Sequence, residues 1–269
     1  MPPLQQRFDF ACVTIREAGA LALDYFHRFE TLVVNSKGVQ DMATEADVAT
    51  QHLIEAALAE KFPQDGFLGE ENPGAYLPQP GRGTWVIDPI DGTQPFVNGI
   101  PSWCVSMAYV EGGEYLLGAV FDPVHEELFA AMSGRGATLN GRPINASRAA
   151  RLEDGLVSVG YSNRVQPEDT LGPLTRLMRA RGMYHRSGSG ALSLAYVAAG
   201  RLIAYFEPHM NSWDFAAGVL IVREAGGAVD VRRPDTQALI KGGAVLAAAP
   251  GIYGALRKLV SEPEYSEPG

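Results

Sequence analysis

The stretch Trp85–Phe96, WVIDPIDGTQPF, places two aspartates three residues apart directly after an apolar run, and a glycine and a threonine follow them. We expect residues 84–87 to form a short buried strand that Asp88 directly follows. A carboxylate is costly to bury unless it is paired or binds a metal. Asp-Pro and Asp-Gly are also common turn dipeptides. Taken alone, the pair Asp88 and Asp91 is therefore best explained as part of a turn.

Length and composition narrow the class of protein. The chain has 269 residues, a formal net charge of −9 and 46% hydrophobic residues, enough for a large core or two joined halves. The negative charge argues against a nucleic-acid surface, which needs clustered Lys and Arg. No run reaches the ~18 apolar residues of a membrane span, and because residues 1–10 lack a basic patch followed by an apolar run we expect no leader segment. With Cys12 and Cys104 expected as reduced core thiols, we expect a cytoplasmic protein.

The hydrophobic pattern predicts an α/β layered fold. Helices are predicted over residues 4–29 and 45–61, with Thr44 as the N-cap of the second. Residues 32–35, 66–69 and 84–87 are predicted strands, and residues 104–110, 115–121 and 128–132 an antiparallel meander. Strands and helices then alternate. The junction near residues 146–154 separates an N-terminal half, 1–146, from a C-terminal half, 147–269, which we expect to form one compact unit.

Further acidic residues change the interpretation of the aspartate pair. Glu70 follows the preceding predicted strand, and Asp214 lies at the start of a later helix. Four anions that converge repel one another unless cations lie among them. Because no His or Cys stands at metal-ligand spacing, the oxygen ligands favour a hard ion such as Mg²⁺.

Gly92 and Thr93 complete this site with an anion pocket. A short helix that begins at Thr93 would offer free N–H groups and the positive end of its dipole to an anion. Hard cations beside a helix N-terminus indicate phosphate, and the predicted reaction is the metal-assisted hydrolysis of a phosphate ester.

With these residues in this order, the chain resembles the inositol monophosphatase family of magnesium-dependent, lithium-sensitive phosphatases. The resemblance spans nearly the whole chain. Its segments are Lys37-Gly38 leading to Asp41-x-x-Thr44-x-x-Asp47, then Gly69-Glu70-Glu71, then WVIDPIDGT at 85–93, and SWDFAAG at 212–218 with EAGG at 224–227. It implies an αβαβα sandwich of the inositol monophosphatase and fructose-1,6-bisphosphatase type, usually a homodimer.

The resemblance also implies a role for each matching residue. The metal ligands, for two or three Mg²⁺ per site, would be Glu70, Asp88, the carbonyl of Ile90, Asp91 and Asp214. The catalytic residues would be Asp47, Glu70 and Thr93, with the Asp47 carboxylate accepting from the Thr93 hydroxyl and Glu70 holding the attacking water. The amides of Gly92 and Thr93 would cradle the phosphate.

The match is looser on the alcohol side of the substrate. Glu207 stands where the family places an acid that binds sugar or inositol hydroxyls. Ser189 and Gly190, in the segment RSGSGA at 186–191, would border the same pocket, and Asp214 would also face the substrate. His209 and Asn211 are further candidates for substrate contact. Structural roles are expected for the other four histidines, His27, His52, His125 and His185.

Gln94-Pro95 departs from the family pattern, which commonly has Asn before the Phe, and this difference could alter substrate preference. The leading hypothesis is hydrolysis of inositol monophosphate or a similar small polyol phosphate. The alternatives are histidinol-phosphate or adenosine 3',5'-bisphosphate hydrolysis within the same superfamily, and a regulatory binding protein that uses the same fold.

Overall fold

The computed structural model describes residues 3–31, 34–38, 41–72, 81–231 and 236–261. In these ranges the α-helices are α1 Leu4–Phe26, α2 Glu45–Lys61, α3 Thr93–Val97, α4 Glu168–Arg179, α5 Gly190–Ala198, α6 Ser212–Glu224, α7 Thr236–Lys241 and α8 Tyr253–Ser261. The strands are β1 Val34–Gly38, β2 Asp41–Thr44, β3 Gly66–Gly69, β4 Thr84–Asp91, β5 Cys104–Glu111, β6 Glu114–Asp122, β7 Glu127–Met132, β8 Ala137–Leu139, β9 Arg142–Ile144, β10 Leu156–Val159, β11 Met183–His185, β12 Ala204–Met210, β13 Ala228–Asp230 and β14 Gly243–Ala248.

Most of the strands lie in two mixed sheets. The larger one has seven strands in the order β3-β4-β5-β6-β7-β8-β9, and only the β3–β4 pair in it is parallel. The second has five strands in the order β11-β10-β12-β14-β13, with β10 parallel to both of its neighbours. The predicted antiparallel meander is confirmed by β5, β6 and β7.

Helices cover both faces of each sheet, which gives the expected αβαβα sandwich. Helices α1 and α2 pack on one face of the larger sheet, and α6 packs on its other face. Helices α5 and α6 also contact the smaller sheet, whose far side carries α4 and α8. One hydrophobic core joins Val86 of β4 with Leu194 of α5 and Val245 of β14. We propose on this basis that the halves 1–146 and 147–269 behave as one unit.

The alternation of side chains along β4 directs its acids toward the central layer. Trp85 and Ile87 pack in the core formed with α1 and α2, whereas Val86 packs in the core that contains α5 and α6. Side chains in a strand alternate between the two faces, so Asp88 is on the face of Val86. The first acid is therefore presented to the helices that separate the two sheets.

The ends of several elements differ from the sequence-based expectation. Helix α1 ends at Phe26, and a 3₁₀ turn at Phe29–Thr31 replaces its predicted last turn. Helix α2 has its predicted bounds, and Thr44 caps it by accepting a hydrogen bond from the Ala46 amide at 3.1 Å. Of the predicted strand at 32–35, residues 32 and 33 lie outside the described ranges. No helix among the described residues is both long and apolar enough to cross a bilayer.

Gly118 sets the distance between β6 and α6, and we predict that Gly118→Ala destabilises the protein. A Cβ at Gly118 would lie 2.5 Å from the carbonyl oxygen of Ala217. The strand and the helix must then separate, and we expect urea unfolding to show a loss of about 1–3 kcal/mol. Gly254→Ala in α8 is the control, since nothing lies within 4 Å of its Cβ position and alanine favours a helix. Equal losses in both variants would contradict this explanation.

Candidate metal and phosphate site

Three aspartates from two elements bring their carboxylates together between the sheets. Oxygen atoms of Asp88 and Asp91 in β4 and of Asp214 in α6 all lie within 4.8 Å of one another. Residues three apart in a regular strand point to opposite faces. The pairing of β4 with β5 shifts between Asp88 and Asp91, so that one extra residue is accommodated there. This irregularity allows both carboxylates to reach the same point, and β4 continues through Asp91 where the sequence predicted a strand ending at Ile87.

Asp91 is fixed by groups from the C-terminal half of the chain. Its Oδ2 accepts hydrogen bonds from the Ser189 hydroxyl at 2.5 Å and from the Ala191 amide at 2.6 Å. Ser189 is also the N-cap of α5 and accepts from the Leu192 amide at 3.2 Å. Ser189 and Gly190 line the cleft, but the Ser189 hydroxyl donates its hydrogen bond to a carboxylate. This hydrogen bond holds Asp91 in position, a role of Ser189 that the sequence did not reveal.

Two further acids, Asp214 and Glu70, lie in the same cleft as Asp88 and Asp91. Asp214 lies in the first turn of α6, where its Oδ2 accepts a hydrogen bond from the Asn211 amide at 2.9 Å in a capping box. Glu70 directly follows β3, forms a side-chain hydrogen bond with Asp88, and lines the same cleft. Because β3 and β4 are parallel neighbours, the residues that follow them lie at the same end of the two strands.

The electrostatics of these carboxylates favour bound cations. Burial is the main cause that raises the pKa of Asp88 and of Asp214 well above the usual range, and the neighbouring carboxylates raise both further. Burial also raises the pKa of Asp91, against the hydrogen bonds from Ser189 and the Ala191 amide that lower it. These buried carboxylates offer only oxygen ligands and repel one another, so the group fits a hard divalent cation. The residues present therefore suit Mg²⁺.

The predicted hydrogen bond from Thr93 to Asp47 is absent among the described residues. The Thr93 hydroxyl donates to the Ile90 carbonyl at 3.2 Å. Asp47 Oδ2 accepts from the Thr44 amide at 2.8 Å and from the Thr44 hydroxyl at 2.6 Å, so the capping box of α2 engages this carboxylate. Asp47 Oδ1 is buried and has no hydrogen-bond partner within the described ranges. Burial raises the pKa of Asp47 to about 6.

Helix α3 begins at Thr93, as the sequence predicted, and Gly92 makes its start possible. Gly92 has φ +102°, in the left-handed region. A Cβ there would lie 2.8 Å from the carbonyl oxygen of Ser102. Only glycine combines this conformation with the close approach of the Ser102 backbone. The free amides at the start of α3 consequently lie next to Asp91.

A cleft of about 200 Å³ connects the acids with the outer loops of the smaller sheet. Apart from Asp47 and the two weaker candidates His209 and Asn211, it is lined by each residue that the sequence placed in the site: Glu70, Asp88, Ile90, Asp91, Gly92, Thr93, Ser189, Gly190, Glu207 and Asp214. Sequence reasoning missed Tyr205 and the segment 161–164, which line it as well. Neither belongs to a recognisable motif, and the alternation of Tyr205 with Glu207 along a strand is the one signal that could have identified it.

Glu207, in β12, lines the same cleft as the aspartates. The Tyr205 hydroxyl donates a hydrogen bond to its carboxylate. Burial raises the pKa of Glu207 to about 7. A Cβ on Gly160 would clash with the Glu207 carboxylate at 1.9 Å, so the glycine leaves room for the acid. Glu207 is thus a hydrogen-bonding group held in a defined position beside the cleft.

The two weaker candidates for substrate contact lie elsewhere. His209 Nε2 is 3.0 Å from the Lys241 carbonyl oxygen, and Asn211 is the N-cap residue of α6. Among the described residues that line the cleft, neither is present. Both predictions of substrate contact are therefore unsupported by the geometry, because the irregular end of β12 directs these residues toward α6 and α7.

Pro95, one of the two residues that depart from the family pattern, packs against the loop that holds Ser189. The ring of Pro95 is buried, and a Cβ on Gly188 would lie 2.7 Å from its Cγ. The Ser102 hydroxyl donates to the Ser187 carbonyl at 2.9 Å beside this contact. The segment after the predicted phosphate cradle is therefore in direct contact with the opposite wall of the cleft.

We predict that Gly188→Ala destabilises the protein more than backbone strain alone would. Gly188 has φ +90° as well as the contact with Pro95. Gly134 is the matched control, because it has φ +74° and nothing within 4 Å of its Cβ position. Strain in each variant costs about 1–3 kcal/mol, and the clash should add about 1–3 kcal/mol in urea unfolding. The difference should shrink in a Pro95→Ala background, and a constant difference would contradict the contact as its cause.

Comparison with known proteins extends the likeness over nearly the whole chain. Residues 4–263 match the profile of the inositol monophosphatase family. The Nus factor SuhB of Pseudomonas aeruginosa is 39% identical over 233 residues, which cover 84% of this chain and 85% of that protein. An inositol-1-monophosphatase of Mesorhizobium japonicum is 35% identical over 240 residues, 88% of this chain and 90% of the relative. The structure of an Anabaena inositol monophosphatase superposes with a TM-score of 0.82 at 33% identity and covers 98% of both chains.

Proposed function

This chain belongs to the inositol monophosphatase family, and from that premise we propose that it is a Mg²⁺-dependent phosphomonoesterase acting on inositol monophosphate or a similar small polyol phosphate. The observation that carries the proposal is the convergence of Asp88, Asp91 and Asp214 on one point beside the start of α3. A buried acid cluster beside free helix amides suits a divalent cation and a phosphate together.

Five groups would hold the metal: the carboxylates of Glu70, Asp88, Asp91 and Asp214 and the carbonyl of Ile90. When bound, Mg²⁺ supplies positive charge to the phosphoryl oxygens and the leaving alkoxide and lowers the pKa of water. The three carboxylates within 4.8 Å of one another support this assignment, as does the position of Glu70 in the same cleft.

The remaining residues would orient the reactants. The amides of Gly92 and Thr93 bind the phosphate at the start of α3, where N–H groups are free. Thr93 Oγ1 and Glu70 hold the attacking water. When the Thr93 hydroxyl turns away from the Ile90 carbonyl, it donates its hydrogen bond to the Asp47 carboxylate. The orphan Asp47 Oδ1 supports that last assignment, because it is a buried acceptor with spare capacity.

The polyol part of the substrate would lie against Glu207. A carboxylate held by Tyr205 accepts hydrogen bonds from hydroxyl groups of the substrate, while Ser189, Gly190 and Asp214 border the same space.

A substrate panel tests the proposal. Purified full-length protein with Mg²⁺ should release phosphate from inositol 1-phosphate with a higher kcat/KM than from histidinol phosphate or adenosine 3',5'-bisphosphate. A higher kcat/KM for either of the other two substrates would transfer the assignment to that alternative. Glu207→Gln should reduce the preference for the polyol, because the amide replaces one acceptor with a donor.

Family membership supports three further parts of the proposal. Millimolar lithium should inhibit turnover by competing for a cation position. The chain should form a homodimer, to be measured by light scattering after size-exclusion chromatography. A cytoplasmic location fits the two free cysteines, Cys12 and Cys104, as cysteines stay reduced there.

A second candidate function follows from the relative named Nus factor SuhB, which is 39% identical to this chain. It is a regulatory role in which the same fold binds a protein or nucleic-acid partner of transcription. The net charge of −9 favours a protein partner over direct binding of nucleic acid. A pull-down that recovers a stoichiometric partner equally well with wild type and Asp91→Asn would support this role, and recovery of none would reject it.

A further inference from the structure

Strand β12 presents two polar side chains to the cleft, Tyr205 and Glu207. They stand two residues apart, and side chains alternate along a strand, so both lie on the same face of the smaller sheet. Both residues line the cleft, although Tyr205 is almost fully buried. The Tyr205 hydroxyl donates a hydrogen bond to Oε2 of Glu207. The tyrosine therefore restricts the orientation of the carboxylate.

The two carboxylate oxygens of Glu207 have different surroundings. Oε2 accepts from the Tyr205 hydroxyl, and a Cβ on Gly160 would lie 1.9 Å from this oxygen. Oε1 has no hydrogen-bond partner among the described residues. Burial and the negative charge of Glu207 raise the pKa of Tyr205 well above its usual range, so the tyrosine keeps its proton and remains a donor. Oε1 is thus the acceptor that is left for a substrate.

We propose that Tyr205 is a positioning residue for polyol selection, which holds Oε2 of Glu207 and leaves Oε1 to accept hydrogen bonds from the hydroxyls of the substrate. This inference rests on the proposed function. A carboxylate whose orientation is already fixed loses less conformational freedom on binding than a mobile one. Tyr205 acts through Glu207 and needs no contact of its own with the substrate.

The same hydrogen bond favours the ionised form of Glu207. Burial is the main cause that raises the pKa of Glu207 to about 7, and the hydrogen bond from Tyr205 opposes this effect. Asp91 raises this pKa further, whereas Arg186 and Arg164, in the loops after β11 and β10, lower it. An ionised carboxylate binds hydroxyls through stronger, charge-assisted hydrogen bonds. Loss of the Tyr205 hydroxyl should therefore move the onset of polyol selectivity to higher pH.

Two substrates that differ only in their ring hydroxyls test this inference. Inositol 1-phosphate and cyclohexyl phosphate share a six-membered ring and one phosphate, so the ratio of their kcat/KM values measures polyol selectivity. In the Mg²⁺-loaded full chain, Tyr205→Phe should lower this ratio about tenfold, an effect in the range of one lost hydrogen bond to a charged group. The ratio should rise with pH in wild type and in Tyr205→Phe, with a higher midpoint in the variant.

Tyr109→Phe is the matched control. Tyr109 is as buried as Tyr205 and donates at 3.2 Å to Glu111, which also stands two residues further along the same strand, β5. Neither residue of this second pair is among the described residues that line the cleft. The control removes the same kind of hydrogen bond, and it should leave the ratio and its pH dependence unchanged.

Glu207→Gln is a second variant that tests the inference even if Tyr205→Phe does not fold. It cannot titrate, so its ratio should not vary with pH, and a ratio that still rises with pH would overturn the inference. An unchanged ratio in a folded Tyr205→Phe protein would also overturn it and leave the proposed function intact. So would an equal fall in kcat/KM for both substrates, which would show a general structural effect. If wild type hydrolyses neither substrate, the proposed function and this inference fail together.

Discussion

Asp91→Asn is expected to lower phosphate release from inositol 1-phosphate by at least about 10³-fold. Asp91 supplies one of the three carboxylates that meet within 4.8 Å, and its neutral isostere binds a hard cation poorly. Loss of several kcal/mol of charge stabilisation corresponds to about three powers of ten in rate. The measurement is kcat/KM at saturating Mg²⁺.

The same variant should keep its fold. The amide oxygen of an asparagine can accept the hydrogen bonds that Ser189 and the Ala191 amide donate to Asp91. Since the substitution also removes a buried charge, the Tm in EDTA should be equal to or higher than that of wild type. Asp24→Asn on the exposed side of α1 is the control and should retain full activity. An active Asp91→Asn protein would reject the metal assignment.

Mg²⁺ is expected to raise the Tm, and to raise it more at pH 8 than at pH 5. Burial raises the pKa of Asp88, of Asp91 and of Asp214 above the usual range of an aspartate. The folded state without metal therefore holds protons that the unfolded state has lost, and its stability falls as the pH rises above about 4. Mg²⁺ binds the deprotonated carboxylates, so its affinity increases over the same range.

Thermal unfolding in EDTA and in Mg²⁺ at several pH values measures this linkage. At a Mg²⁺ concentration of 100 times Kd, one bound ion stabilises the fold by about 2.7 kcal/mol. Asp91→Asn should lose most of the Mg²⁺-dependent shift, whereas Asp24→Asn should retain it. A shift of the same size at pH 5 and pH 8 would show that the ion does not compete with protons at these carboxylates.

Local patterns were enough to predict much of the candidate site. Asp88, Asp91, Gly92 and Thr93 follow one another in a single short stretch, and Asp214 occupies the first turn of a helix with a clear start. Such positions depend on strand ends and helix caps, which leave signals within a few residues. The structure accordingly brings these residues to one cleft.

Contacts between distant segments could not be predicted in the same way. Arg164 reaches the cleft because β10 and β11 are parallel neighbours, and Ser189 meets Asp91 through the docking of α5. Strand β4 continues through Asp91, although aspartate and proline are poor strand formers, because β5 still pairs with it beyond the irregularity. The strand β14, with its small apolar residues, has no distinct period and was not predicted.

The hydrogen bonds from Ser189 and the Ala191 amide to Asp91 bear on how the protein moves during turnover. They join the end of β4 in the larger sheet to the start of α5, so β4 and α5 cannot separate without breaking charge-assisted hydrogen bonds. A hinge motion that separates the two halves is therefore disfavoured as the route for product release. Release should instead depend on displacement of the largely exposed loop at residues 161–164, which lines the cleft.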